Sequence, residues 1–128
     1  MSPVLDTTVL IDLLRGDPGA QDYLLSLEEV PTCSEVTRVE VLRGLRSDEQ
    51  SPAERLFQRL RWIPVEESVA RLAGDMGRRL RRSHTGIGVA DLIIAATVEH
   101  LGSDLATTNV RHFPMFKGLR PPYKEQAR

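Results

Sequence analysis

Three carboxylates and one amide stand where they could hold a metal ion: Asp6, Glu40, Asp91 and Asn109. Asp6 closes the apolar run Pro3-Val4-Leu5 and is followed by Thr7 and Thr8. Asn109 closes another short run, after Ala106-Thr107-Thr108. Asp91 falls in the first turn of an apolar helical stretch, on one face with Ala95 and Val98 at i+4 and i+7. A carboxylate on such a face is costly unless it is paired or bound to metal. Glu40 falls in mid-helix beside Val36 and Gly44, at the edge of the apolar stripe. Each residue also has a plainer role. Asp6 is a good helix N-cap, and Asn109 a good turn residue. Asp91 favours a helix start through the backbone dipole, worth roughly 0.3–1 kcal/mol. Glu40 reads equally as a solvated flank residue or a partner for Arg43. The set argues for more than its members do. Carboxylates a few ångströms apart repel and raise one another's pKa. A hard divalent cation, Mg²⁺ or Mn²⁺, resolves that conflict through oxygen ligands. Metal so bound can lower the pKa of a water and stabilise the charge that develops on a phosphodiester. Spacing alone leaves open whether the four side chains converge.

The elements that must position them alternate. Residues 3–6 read as a strand ending in an acid. Residues 7–14 have helical spacing, with Gly16 as the stop. A second short helix is expected over 18–27, a strand over 30–33 and a helix over 35–46 that Gly44 weakens near its end. Ser51, Pro52 and Glu54 read as cap, first-turn proline and first-turn acid of a helix running to about residue 61. Residues 62–65 read as a strand. A long helix follows over 68–82, with Val69, Leu72, Ala73, Met76 and Leu80 on one face. Residues 86–88 break the chain. The stretch 89–101 is apolar nearly all round, which predicts a buried helix. Residues 104–107 form the last strand, and Pro114, Pro121 and Pro122 mark an irregular tail. Strands alternating with helices predict a parallel sheet covered on both faces. Ligands in such sheets sit beyond the carboxyl ends of the strands.

Composition sets the outer bounds. The 128 residues fit a single domain, 1–128, able to bury roughly two-thirds of its unfolded surface. Hydrophobic residues make up 41% and charged residues 27%, ordinary for a globular chain. Cys33 is the only cysteine, which excludes an internal disulfide and a multi-cysteine zinc site and agrees with a cytoplasmic protein. The N-terminal apolar run meets a charge at position 6, too soon for a signal peptide. The longest apolar stretch, 92–96, is far short of the ~20 residues a membrane span needs. A net charge of −1 gives no global pull toward nucleic acid, so such contact requires a local basic patch.

With these residues in view, the chain resembles a PIN-domain protein, specifically a VapC-type toxin of the VapBC toxin–antitoxin family. The resemblance is carried by Asp6-Thr7-Thr8-Val9-Leu10-Ile11 and by Glu40 within Val36-Thr37-Arg38-Val39-Glu40-Val41-Leu42-Arg43-Gly44. It continues in Gly88-Val89-Ala90-Asp91-Leu92-Ile93-Ile94-Ala95-Ala96 and in Ala106-Thr107-Thr108-Asn109-Val110-Arg111-His112-Phe113. The segments stand in the family's order across residues 4–113. The resemblance implies a PIN-like α/β fold, a central parallel sheet flanked by helices on both faces in three layers. It implies a Mg²⁺- or Mn²⁺-dependent endoribonuclease acting on structured RNA (tRNA or rRNA) and leaving a 3′-hydroxyl and a 5′-phosphate. Asp6, Glu40 and Asp91 match the metal-binding, water-activating acids, and Asn109 the fourth catalytic position. That fourth position is often an acid in the family. An amide brings an oxygen but no charge, which argues against a tightly held second ion. Thr7 and Thr107 match hydroxyl positions that support the acids. The resemblance also implies a cognate VapB-type antitoxin and a homodimer or toxin–antitoxin hetero-oligomer. Part of the apolar surface of the helices in 7–27 and 35–60 would then be interface.

Other features bear on substrate. Arg78, Arg79, Arg81 and Arg82 form the strongest basic run, able to hold RNA phosphates or to serve as a solvated helix end. Arg111 and His112 follow Asn109 closely enough to touch a phosphate, while His84 and His100 read as structural or exposed. Phosphate-binding glycine loops and zinc-protease motifs are absent from the sequence. Few aromatic residues are available for base stacking, so recognition is expected to rest on RNA shape and backbone. Two other classes share these residues: a non-catalytic metal-binding regulatory or partner protein, and a related metal nuclease acting on DNA. Glu40 separates the first, because capping and regulation do not need it.

Overall fold

The computed structural model describes residues 2–84 and 86–124. In chain order the elements are β1 (Val4–Leu5), α1 (Thr7–Leu14), α2 (Pro18–Ser26), β2 (Thr32–Ser34), α3 (Glu35–Arg43) and α4 (Gln50–Phe57). These are followed by β3 (Arg61–Ile63), α5 (Glu67–Leu80), α6 (Val89–Leu101), β4 (Leu105–Ala106) and a 3₁₀ turn at Val110–His112. The four strands form one parallel sheet in the order β3-β2-β1-β4. Val4 lies opposite Thr32 on one side and Leu105 on the other, so β1 is an inner strand between β2 and β4.

Side chains alternate across a strand, and here they divide the core in two. Leu5 and Ala106 pack with Val9, Leu10, Leu13, Val41, Leu56 and Phe57, drawn from α1, α3 and α4. Val4 and Leu105 face the other way, onto Val69, Ala73 and Met76 of α5 and Ile94 and Val98 of α6. Helices therefore cover both faces of a parallel sheet, in the three layers of a PIN-like α/β fold.

Two strand-to-helix transitions occur without a loop. Asp6 alone separates β1 from α1, and Ser34, the last residue of β2, caps α3 by accepting the Val36 N–H at 3.2 Å. Both helices therefore start at the carboxyl edge of the sheet and carry their first residues to it. At β4 the chain leaves the sheet through Thr107 and Asn109 into the 3₁₀ turn. Phe113, fully buried against the α5–α6 layer, anchors that turn.

Several boundaries differ from the sequence reading. Helix α3 ends at Arg43 rather than 46, because Gly44 takes the capping position and turns its N–H back to Glu40 and Val41. Ser51 does not cap α4, which starts at Gln50. Glu49 precedes it, with its carboxylate on the Arg46 N–H at 2.7 Å and on Arg15 Nε at 3.2 Å. That helix stops at Phe57, short of residue 61. Strand β2 lies at 32–34 rather than 30–33, since Pro31 has no N–H to give and only its carbonyl is used, by Arg61. Strand β3 stops before Pro64 instead of reaching 65. Helix α5 begins at Glu67 and ends at Leu80, which leaves Arg81 and Arg82 beyond it. Helix α6 has the expected bounds and ends on Gly102 at φ +64, a left-handed cap suited to glycine. Its fully buried residues are 94–98, residues 90–93 are half-buried and Val89 is 73% exposed, so the helix is not buried on all sides. The 3₁₀ turn was not expected.

Candidate active site at the carboxyl edge of the sheet

Asp6 is the anchor. It is 3% exposed and caps α1, with Oδ1 accepting the Thr7 N–H at 2.8 Å. Oδ2 accepts from the Thr8 hydroxyl at 2.9 Å and from the Thr107 hydroxyl at 2.7 Å. The plainer role, helix capping, is therefore present in this residue. Three of about four carboxylate acceptor positions are used, which fixes the group and leaves one direction open.

Thr7 reaches across to α3. Its hydroxyl donates to Glu40 Oε1 at 2.6 Å and lies 3.0 Å from Thr37 Oγ1. Glu40 is thus held toward the edge by α1 and is not a free solvated flank residue. Thr107 is fully buried, gives its proton to Asp6 and accepts the Asn109 N–H at 2.9 Å. Asp91 stands in the first turn of α6, partly buried, with Oδ2 at 3.0 Å from His112 Nδ1. The Asn109 amide nitrogen lies against the same ring, 3.2 Å from Nδ1 and 3.3 Å from Nε2.

The acids feel one another. Burial first, and then the negative charge of Asp6, push the Asp91 carboxyl above its ordinary value; His112 opposes this and Glu40 adds to it. Three carboxylates from β1, α3 and α6 therefore share one electrostatic neighbourhood, and Asn109 borders it from the end of β4. Residues 4–117 match the PIN domain family. This chain belongs to the PIN-domain family, in its VapC branch. It is 46% identical over 124 residues to Ribonuclease VapC19 of Mycobacterium tuberculosis, covering 94% of this chain and 98% of that protein. Ribonuclease VapC10 of the same organism is 45% identical over 122 residues, covering 94% and 92%. The fold is also similar to a toxin–antitoxin complex from Klebsiella pneumoniae, with a TM-score of 0.80, 25% identity and coverage of 96% of this chain and 99% of that one.

In this VapC-type chain the donor set is one of carboxylate oxygens with an amide beside it, the chemistry that suits Mg²⁺ or Mn²⁺. Among the described residues, no three His, Cys, Asp or Glu side chains already stand arranged to hold an ion. What fits a cation is the charge: Asp6 and Glu40 both disfavour the ionised form of Asp91, and a cation would relieve that.

The cations expected to serve RNA are dispersed. Arg78 is paired with Asp75 at 2.8 Å, and Arg79 Nε lies 3.4 Å from the Asp75 carbonyl. Arg81 and Arg82 are exposed beyond α5, and Arg111 is exposed on the 3₁₀ turn. Of the basic residues singled out, His112 is the one that contacts the acids, through Asp91. Two hydroxyls escaped the sequence reading, Thr8 and Thr37. Thr8 carries a signal, standing two residues after a capping aspartate; Thr37 carries none short of the α1–α3 packing.

Proposed function

We propose that this PIN-domain chain is the toxin of a toxin–antitoxin pair, a Mg²⁺- or Mn²⁺-dependent endoribonuclease that hydrolyses phosphodiester bonds in structured RNA, tRNA or rRNA. The observation that carries this reading is the upward push on Asp91, by burial first and then by Asp6 with a smaller part from Glu40, at the strand edge where α/β proteins hold their ligands. Asp6, Glu40 and Asp91 would hold the metal, with the Asn109 amide as a neutral fourth group. Bound there, the metal supplies a water of lowered pKa and stabilises charge developing on the phosphate.

The chain's own residues keep that edge in order. Thr107 and Thr8 fix Asp6, and Thr7 fixes Glu40, so neither acid has to be reoriented at the moment of reaction. His112 steadies Asp91 through its Nδ1, 3.0 Å from Oδ2.

A partner is part of the proposal. Leu25 on α2 and Val39 and Leu42 on α3 are 77%, 61% and 39% exposed, apolar surface of the kind an antitoxin or a second copy would cover. The likeness to a toxin–antitoxin complex supports an antitoxin. Among the described residues no helix is long and apolar enough to cross a membrane, and the reduced, buried Cys33 fits the cytoplasm.

The test is incubation of total cellular RNA with purified protein in Mg²⁺, Mn²⁺ or EDTA, with Asp6→Asn in parallel. Discrete fragments that require both metal and Asp6 are expected, and mapping their ends identifies the target. Intact RNA after treatment with folded, inhibitor-free, metal-supplied protein would defeat the proposal.

A further inference from the structure

Asp91 Oδ2 lies 3.0 Å from His112 Nδ1 on the 3₁₀ turn. Beyond His112 the surface opens into a cleft of about 390 Å³ between the 3₁₀ turn and the α5–α6 connection. Asp91, His112, Arg111 and His84 supply its polar lining, and Ile87 and Pro114 its apolar lining. Its size falls within the roughly 300–1,000 Å³ of small-ligand sites.

The donors in this cleft are available. Arg111 is exposed and makes no ion pair among the described residues, whereas Arg15, Arg38, Arg71 and Arg78 are each matched to a carboxylate. The His84 ring lies 2.8 Å from Ser83 Oγ through Nδ1, and in the tautomer that accepts the serine proton there its Nε2–H is left to donate. An exposed guanidinium matches phosphate oxygens, and Ile87 and Pro114 offer the flat apolar contact that a base or sugar takes.

We propose that this cleft is a subsite for the nucleotide that flanks the bond being cut, with its phosphate on Arg111 and His84 and its sugar and base on Ile87 and Pro114. The proposal rests on the ribonuclease reading above and adds a direction to it. The RNA strand leaves the acids past Asp91 and over the 3₁₀ turn, where Arg111 and His84 line the cleft.

The experiment measures binding of a short fluorescein-labelled single-stranded RNA by anisotropy in EDTA, so that no turnover is needed. The full chain is compared with Arg111→Glu/His84→Glu and with Lys117→Glu/Arg120→Glu, an arginine-containing pair on the opposite edge near the start of β4. Ile87→Trp fills the cleft without changing charge. Circular dichroism and thermal melting confirm folding of each variant. The cleft pair is expected to weaken binding about tenfold more than the distant pair and to lower the salt slope by about one, the share of Arg111; Ile87→Trp is expected to weaken it several-fold. Equal losses from the two pairs, or an unaffected Ile87→Trp, overturn the proposal and leave only diffuse surface charge. Metal-dependent cleavage by the unaltered chain is scored separately. Cleavage without a cleft-specific loss removes the subsite and keeps the ribonuclease, and a cleft-specific loss without cleavage does the reverse.

Discussion

The Thr107 hydroxyl donates to Asp6 Oδ2 at 2.7 Å across 101 residues of sequence. That bond ties the ends of β1 and β4 together and orients Asp6, more buried than Glu40 or Asp91. A buried hydroxyl placed this way acts on chemistry through the group it holds.

Thr107→Val keeps the shape of the side chain and removes the donor. Loss of one partner leaves Asp6 and the Asn109 N–H short of a bond each, costing about 1–3 kcal/mol of stability. RNA cleavage should fall about 10–100-fold, as for other groups that orient metal-binding residues. Thr107→Ser should recover most of it. Full activity in the valine variant would show that Asp6 needs no such support.

Asp91→Asn should abolish cleavage and stabilise the metal-free protein at neutral pH. The folded state raises the Asp91 pKa above its ordinary 3.8. Its contribution to stability is therefore complete below that value and is lost as pH rises through the raised one. The melting temperature in EDTA should accordingly rise in the variant at pH 7, with the gain vanishing in acid. Added Mg²⁺ should raise the melting temperature of the unaltered chain and leave the variant unmoved. A variant that melts lower in EDTA at neutral pH would contradict the mutual repulsion of the acids.

Tyr123 donates its hydroxyl to Asp12 Oδ2 at 2.7 Å, holding the segment after the 3₁₀ turn against α1. Asp12 is 1% exposed, so Tyr123→Phe should cost about 1–3 kcal/mol. The urea midpoint should fall with an unchanged slope, and cleavage by the folded variant should match the parent. A change in slope instead would mean that the tail detaches as a separate unit.

Arg38 stacks over Trp62, 4.0 Å from the ring centroid, while Glu35 grips its guanidinium at 2.6 and 3.1 Å. Arg38→Lys loses both the planar stack and the fork, worth about 1 kcal/mol. Trp62 is the sole tryptophan, so its emission reports on this contact directly and should change with the substitution. An unaltered spectrum would place the ring elsewhere.

Much of the site was readable in the sequence because it lies where elements begin. Asp6 and Asn109 follow strands, Asp91 opens an apolar helix, and β-to-α periodicity gave the parallel sheet. What escaped depends on contacts between segments. The start of α4 was misread because Glu49 is held by Arg15, 34 residues away, and such a bond overrides the local preference for Ser51 as a cap. Thr37 escaped because a helical threonine most often bonds its own backbone; here it meets Thr7. The contact between Asp91 and His112 depends on how Phe113 seats the 3₁₀ turn, which pattern alone does not disclose.

The inner position of β1, between β2 and β4, has a consequence for the newborn chain. A polypeptide emerging from the ribosome exposes Asp6 and Glu40 early, and these wait for partners not yet made. Asp91, Thr107 and Asn109 follow them in the chain. The carboxyl edge is complete only when β4 has joined β1 and brought Thr107 to Asp6. On the proposed ribonuclease reading, a chain still short of β4 would lack an ordered acid site.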